Sequence, residues 1–187
     1  NVAAVSAPLR ATAEALSVRY PASVGAILYS LLPADIRNGN QPYHSIPAVT
    51  HQEESTPQLL TARSDERTIV YESHVRSTFA KGGSVLLVVP HAVAVEQVAS
   101  TISPGIIDRV IKLSPNQTKR IRTKAYEALR DETKTKLIIT TPAYAYVERA
   151  DLRSIIVEQS ASGHYISRER PYLDHRVALI ELARLTG

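Results

Sequence analysis

Apolar positions along the chain follow two rhythms, and the change between them divides the sequence. From Asn1 to Asn40 they recur at helical spacing. Ala11–Val18 is a run of good helix formers, interrupted at Tyr20-Pro21. Ser23 is placed to cap a second helix from Val24 to Leu32, which stops at Pro33. Val24, Ile27, Leu28, Leu31 and Leu32 share one face of it. Asn38-Gly39-Asn40 is a break, and Gln41 to Pro57 is polar, proline-bearing and without periodicity, as expected of a linker. From Gln58 short apolar runs alternate with helical stretches, which predicts a parallel sheet covered by helices. The predicted strands are Gln58–Thr61, Ser84–Val89, Arg109–Leu113, Lys136–Thr140 and Arg153–Glu158. The predicted helices are Glu66–Ala80, Ala92–Ile102, Gln117–Asp131 and Leu173–Leu185. Leu86-Leu87-Val88-Val89 and Leu137-Ile138-Ile139 are continuously apolar, as in strands covered on both faces. Gly82-Gly83 ends the first of these helices.

Composition narrows the chemistry more than the fold. The 187 residues are enough for one domain with a real core, or one domain with an appendage. No apolar run approaches a membrane span, and no signal-peptide pattern opens the chain. A cytoplasmic protein is the expectation. The absence of cysteine excludes disulfides, thiolate chemistry and cysteine-bound zinc from these residues. With no methionine and Asn1 first, the sequence reads as an excerpt or a processed product. The net charge of +4 permits nucleic-acid contact without requiring it.

The stretch Leu59-Leu60-Thr61-Ala62-Arg63-Ser64-Asp65-Glu66-Arg67-Thr68 lies where an α/β nucleotide-binding domain carries its phosphate loop. Against G-x-x-x-x-G-K-[ST] only Thr68 fits. Thr61 and Glu66 stand at the glycine positions and Arg67 at the lysine. Ala62, Ser64 and Glu66 put side chains where backbone N–H groups should approach phosphate, and Glu66 adds a repelling charge. Arg67 does not replace a lysine at a tight point-charge site. A plain helix N-terminus, capped by Ser64 or Asp65, is the simpler and compatible reading.

The second half resembles one family. Thr68-Ile69-Val70-Tyr71-Glu72, and then Phe79-Ala80-Lys81-Gly82-Gly83-Ser84 running to Val89-Pro90, is similar to the first motor lobe of the primosomal protein N′ family, the replication-restart DNA helicases of superfamily 2. Leu137-Ile138-Ile139-Thr140-Thr141-Pro142-Ala143-Tyr144-Ala145 resembles that family's I-V-I-G-T-R-S-A-L segment. Leu152 to Glu158 resembles the strand ending in its D-E-E-H box, and Tyr165, Arg170-Pro171-Tyr172 and Arg176-Val177-Ala178 resemble the segment after the box. Tyr20-Pro21 through Leu32-Pro33 is similar to the helix closing the family's N-terminal DNA-binding domain. The resemblance implies a RecA-like lobe of P-loop NTPase type over 58–187, a helical segment over 1–40 and a linker over 41–57.

The departures bear on activity. The box reads Glu158-Gln159-Ser160-Ala161, so the implied magnesium ligand is lengthened and the water-polarising glutamate is a neutral glutamine. Phosphoryl transfer needs positioning and charge neutralisation by metal. The degenerate nucleotide site is therefore expected at Ser64, Arg67, Thr68 and Glu158, with no catalytic residue, no resident metal, and ATP with magnesium only if the divergent site is active. No winged-helix insertion and no second motor lobe are present in these residues.

The densest basic cluster is Lys119-Arg120-Ile121-Arg122-Thr123-Lys124. On a helix Lys119, Arg122 and Arg130 share a broad face, and Arg120 and Lys124 pair at i, i+4. It reads either as a nucleic-acid contact or as a solvated face balanced by Glu127, Asp131 and Glu132. Arg168 and Arg170, flanked by Tyr165 and Tyr172, form a second candidate, because Tyr and Arg on one loop suit unpaired bases. Tyr144 and Tyr146 follow a strand, and half-buried tyrosines with wet hydroxyls are the alternative. His44, His51, His74, His91, His164 and His175 lack metal-site spacing. The function expected is a DNA-binding scaffold of replication restart that has lost ATP hydrolysis, with DNA and restart proteins as partners and no membrane. An active helicase lobe and a protein-interaction module are the alternatives.

Overall fold

A computed structural model describes residues 5–41 and 56–186. Most of the predicted linker, together with His44 and His51, lies outside the described residues. The described chain is α/β, with a four-stranded, wholly parallel sheet between two helical layers. Three helices come first: α1 (Ala7–Arg19), α2 (Val24–Leu31) and the single turn α3 (Ala34–Arg37). Then come α4 (Ser64–Ala80), β1 (Ser84–Val88), α5 (Ala92–Ile102), β2 (Val110–Leu113), α6 (Lys119–Arg130), β3 (Leu137–Thr140), β4 (Leu152–Val157) and α7 (His175–Thr186).

The strand order is β2-β3-β1-β4. Leu86 faces Ile138 on one side and Ile155 on the other. Residues alternate between two cores. Leu86 and Val88 join Ile111, Leu113 and Ile138 under α1, α2, α6 and α7. Val85, Leu87 and Val89 join Leu137 and Ile139 under α4 and α5. β1 and β3 are buried throughout, so the continuous apolar runs mean what periodicity says they mean.

The local signals explain most boundaries. Ser23 Oγ accepts from Ala26 N–H at 3.3 Å, and the helix ends before Pro33. The C-terminus of α4 is a Schellman motif. Gly82, at φ +76°, donates to Phe79 O at 3.0 Å, and Gly83 donates to Thr78 O at 2.9 Å.

One predicted strand is wrong. Residues 58–61 pair with nothing and are not a strand; Leu59 is 85% exposed and Leu60 43%. A short apolar run without a partner strand has no ladder to join, and periodicity cannot supply the partner. The other corrections are at ends. Arg109 belongs to a 3-10 turn, α6 starts two residues later behind its Thr118 cap, and α7 begins at His175. No described helix is long and apolar enough to cross a membrane.

Candidate nucleotide and nucleic-acid site

The carboxyl ends of parallel strands are where open α/β sheets bind ligands, and the sequence landmarks converge there. Val89-Pro90 follows β1, Thr141 follows β3, and Glu158 follows β4. α4 starts at this same edge, because Arg67 in its first turns meets Glu158.

The start of α4 caps itself. Arg63 is the N-cap, not Ser64 or Asp65, and its N–H donates to Glu66 Oε2 at 2.9 Å. That is the backward half of a capping box. Asp65 and Glu66 both sit in the first turn, so side-chain carboxylates occupy the positive pole where a phosphate would bind. Thr68 Oγ1 donates to Ser64 O at 3.1 Å, so its hydroxyl proton is spent on the helix backbone. Ser64 is exposed as the first helical residue.

Arg67 and Glu158 are brought together as an ion pair. Arg67 Nη2 lies 3.0 Å from Glu158 Oε1, and Nη1 donates to Ala62 O at 2.8 Å. Tyr71, one turn on, donates its hydroxyl to Glu158 Oε2 at 2.5 Å. Both carboxylate oxygens are therefore engaged, and the side chain is only 9% exposed. Burial, then the bond to Glu158, pushes the Tyr71 phenol well above its ordinary value, so it stays a donor. The backbone is pinned too. Glu158 N–H donates to Val88 O at 2.9 Å, and the Tyr165 hydroxyl sits 2.9 Å from Val88 O and 2.6 Å from Glu158 O. Gln159 follows at φ +49°, a left-handed turn at a non-glycine residue. An arginine already neutralised, and a carboxylate with both oxygens accepting, do not fit a phosphate and a magnesium ion without first coming apart.

The basic candidates divide. Arg120 and Lys124 are exposed and bond to no described residue. Lys119 Nζ donates to Asn40 Oδ1 at 2.9 Å. Arg122 turns inward: Nε donates to Asp35 Oδ2 at 2.7 Å, Nη2 to Asp35 Oδ1 at 3.2 Å, and Nη1 to Gln117 O. Arg168 and Arg170 are exposed on a loop closed by the Ile166–Asp174 bridge. No hydrogen bond or ion pair joins them to α6 among the described residues. Of the four tyrosines named for stacking, Tyr144, Tyr146 and Tyr165 are buried, and only Tyr172 is exposed, at 56%.

Among the described residues no three metal-ligating side chains cluster. His91 and His164 meet edge to face at 5.6 Å. His74 Nε2 lies 2.8 Å from Ser154 Oγ, and His175 Nδ1 lies 2.9 Å from Tyr146 Oη.

Three participants escaped sequence reasoning. Tyr71 was legible, since it lies four residues from Arg67 on one helix face. Asp35 was not, because its partner is 87 residues away. Neither was Arg149, whose side chain is wholly buried and donates to Leu129 O, Asp131 O and Lys134 O, closing the end of α6 while pairing with Asp151 at 2.8 Å.

Against known proteins the chain matches no family model and no curated protein.

Proposed function

We propose that this chain is a degenerate relative of the first motor lobe of the primosomal N′ helicases, a RecA-like lobe that binds DNA in replication restart and does not turn over ATP. The carboxyl edge carries the reading. There the arginine at the phosphate position is closed onto Glu158, while elsewhere on the surface Arg120, Lys124, Arg168 and Arg170 are exposed and have no bonded partner among the described residues. A phosphate backbone is the ligand such free cations suit. Val89-Pro90, Thr141 and Glu158 also follow β1, β3 and β4 at their carboxyl ends, which is compatible with the arrangement the family resemblance implies. Restart proteins are the partners and the cytoplasm the setting that follow from this role.

The test is a fluorescence titration of labelled forked and single-stranded DNA, with and without Mg-ATP, at two salt concentrations. Salt-sensitive binding indifferent to ATP is expected. Four phosphate contacts give a log–log salt slope of about −3 on single strands. Binding that tightens with Mg-ATP would sink the claim of lost nucleotide response. No DNA binding at low salt would favour an interaction module, for which exposed Leu59, Ile69 and Val70 around the start of α4 provide the apolar surface.

A further inference from the structure

Of the four cations at 119–124, two are held by one short stretch of chain. Asp35 takes Arg122 through two hydrogen bonds, Asn40 takes Lys119, and Gln41 Nε2 donates to Thr123 Oγ1 at 2.8 Å. Residues 35–41 thus lie along the first turns of α6. Asp35 is 6% exposed, yet the element that carries it is a single helical turn whose N-cap, Pro33, makes no side-chain bond. One turn of helix has little stability of its own and is held by its contacts. A carboxylate gripping a guanidinium with two parallel N–H bonds is the geometry that Arg also uses for phosphate.

We propose that residues 35–41 are an intramolecular cover on α6, in which Asp35 occupies Arg122 in place of a nucleic-acid phosphate. The inference rests on the DNA-binding reading. In the covered state α6 offers Arg120, Lys124 and the exposed ammonium of Lys119, but not Arg122. Displacing the cover adds Arg122, so full DNA engagement and release of α3 are one event. Coupling of this kind is reciprocal: whatever lifts α3 strengthens DNA binding, and DNA loosens α3. Asp35 is the group that sets the balance, since among the described residues it is the carboxylate that pairs with Arg122.

The experiment compares the full chain, Asp35→Asn, Arg122→Ala and the double variant on one labelled single-stranded DNA between 50 and 200 mM salt, roughly the range over which phosphate contacts register. Asp35→Asn should bind about three- to ten-fold tighter, with a salt slope steeper by about 0.7, one added phosphate contact. Arg122→Ala alone should leave affinity and slope as they are, because Arg122 is covered, and in the double variant it should cancel the gain. Weaker binding by Arg122→Ala alone would mean that Arg122 is already open, and overturns the cover. So does an unchanged slope in folded Asp35→Asn. If no variant binds DNA, the DNA-binding reading fails and the cover fails with it; unaltered binding in the variants fails the cover alone. Hydrogen exchange on the unsubstituted chain gives a measurement independent of variant folding. The amides of Ile36, Arg37 and Asn38, bonded to Pro33 and Ala34 carbonyls, should exchange faster with DNA bound. Equal or slower exchange overturns the proposal.

Discussion

At the scale of single residues, Gly82 and Gly83 stand side by side for different reasons. Gly82 sits at φ +76°, where a side chain is strained but space is open. Gly83 has no such angle, but a Cβ there would lie 2.4 Å from Arg153 Cγ and 2.8 Å from Arg153 Cβ. The crowding comes from β4, whose register with β1 shifts between Ser84 and Val85 and puts Arg153 in the extra place. Those are stem atoms of Arg153 and have little room to yield. Gly82→Ala should cost about 1 kcal/mol and Gly83→Ala about 1–3 kcal/mol, ranked by denaturant midpoint at constant slope. Equal costs would show that the strand accommodates the methyl group by moving. The glycine pair was legible in the sequence as a helix stop. The shift that decides between the two was not, because register is a property of two strands. Glu158 makes the same point for the site. Its side chain is legible in the sequence as a lengthened magnesium ligand, and its attachment to Arg67 and Tyr71 required the fold. Glu158→Gln removes the charge that balances Arg67 in a partly buried place, and should cost about 2 kcal/mol. Tyr71→Phe removes one donor and should cost about 1 kcal/mol. Thermal unfolding of both checks the order, and a larger loss from Tyr71→Phe would contradict the arrangement.

Among elements, α7 carries a pH dependence at its first residue. His175 is 6% exposed, bonded to Tyr146, and burial pulls its pKa down from 6.5 to about 4, against the opposing pull of Asp174. The unfolded chain therefore binds a proton between those two values that the folded chain refuses. Stability is unaffected above about pH 6.5 and falls as pH drops toward 4. The loss from this group is about 2 kcal/mol at pH 5 and approaches about 3 kcal/mol near pH 4. Urea midpoints at pH 7.5 and 5 should differ accordingly, and His175→Asn should flatten the difference even if it lowers both. A difference of the same size in His175→Asn would assign the dependence to other groups. Elements also mark where sequence reasoning holds. α2, α5 and the buried strands β1 and β3 carry their periodicity and caps locally, so they were legible. The stretch 58–61 had the composition of a strand, but pairing is a nonlocal fact. The basic helix α6 was legible as a helix, but the inward turn of Arg122 onto Asp35 was not, because that partner lies far away in the chain.

For the whole molecule, the first forty residues are continuous in packing with the rest. Leu9, Ala13, Leu16, Ile27 and Leu31 share one apolar cluster with Leu86, Ile138, Leu179 and Leu182. Polar contacts follow the same seam: Tyr20 Oη accepts from Asp174 N–H at 3.1 Å, and Ser6 Oγ donates to Glu148. The sequence shows a change of rhythm near residue 58, and a change of rhythm separates elements without separating cores. A chain built this way unfolds as one cooperative unit. Leu16, buried among these groups, tests the idea at a position no site uses. Leu16→Ala should cost about 2–5 kcal/mol through lost burial and the cavity left behind. The helical signal and the tyrosine signal, to which Tyr20 and Tyr146 on the two sides of the seam both contribute, should move together to a lower midpoint. Two separated transitions, with only the first displaced by Leu16→Ala, would mean that α1 and α2 fold as an independent layer. The cover on α6 would then hang from a separate body, and its release by DNA would cost the sheet nothing. A single displaced transition puts α1 and α2 in one core with the sheet, and the cover then opens locally against a fixed body.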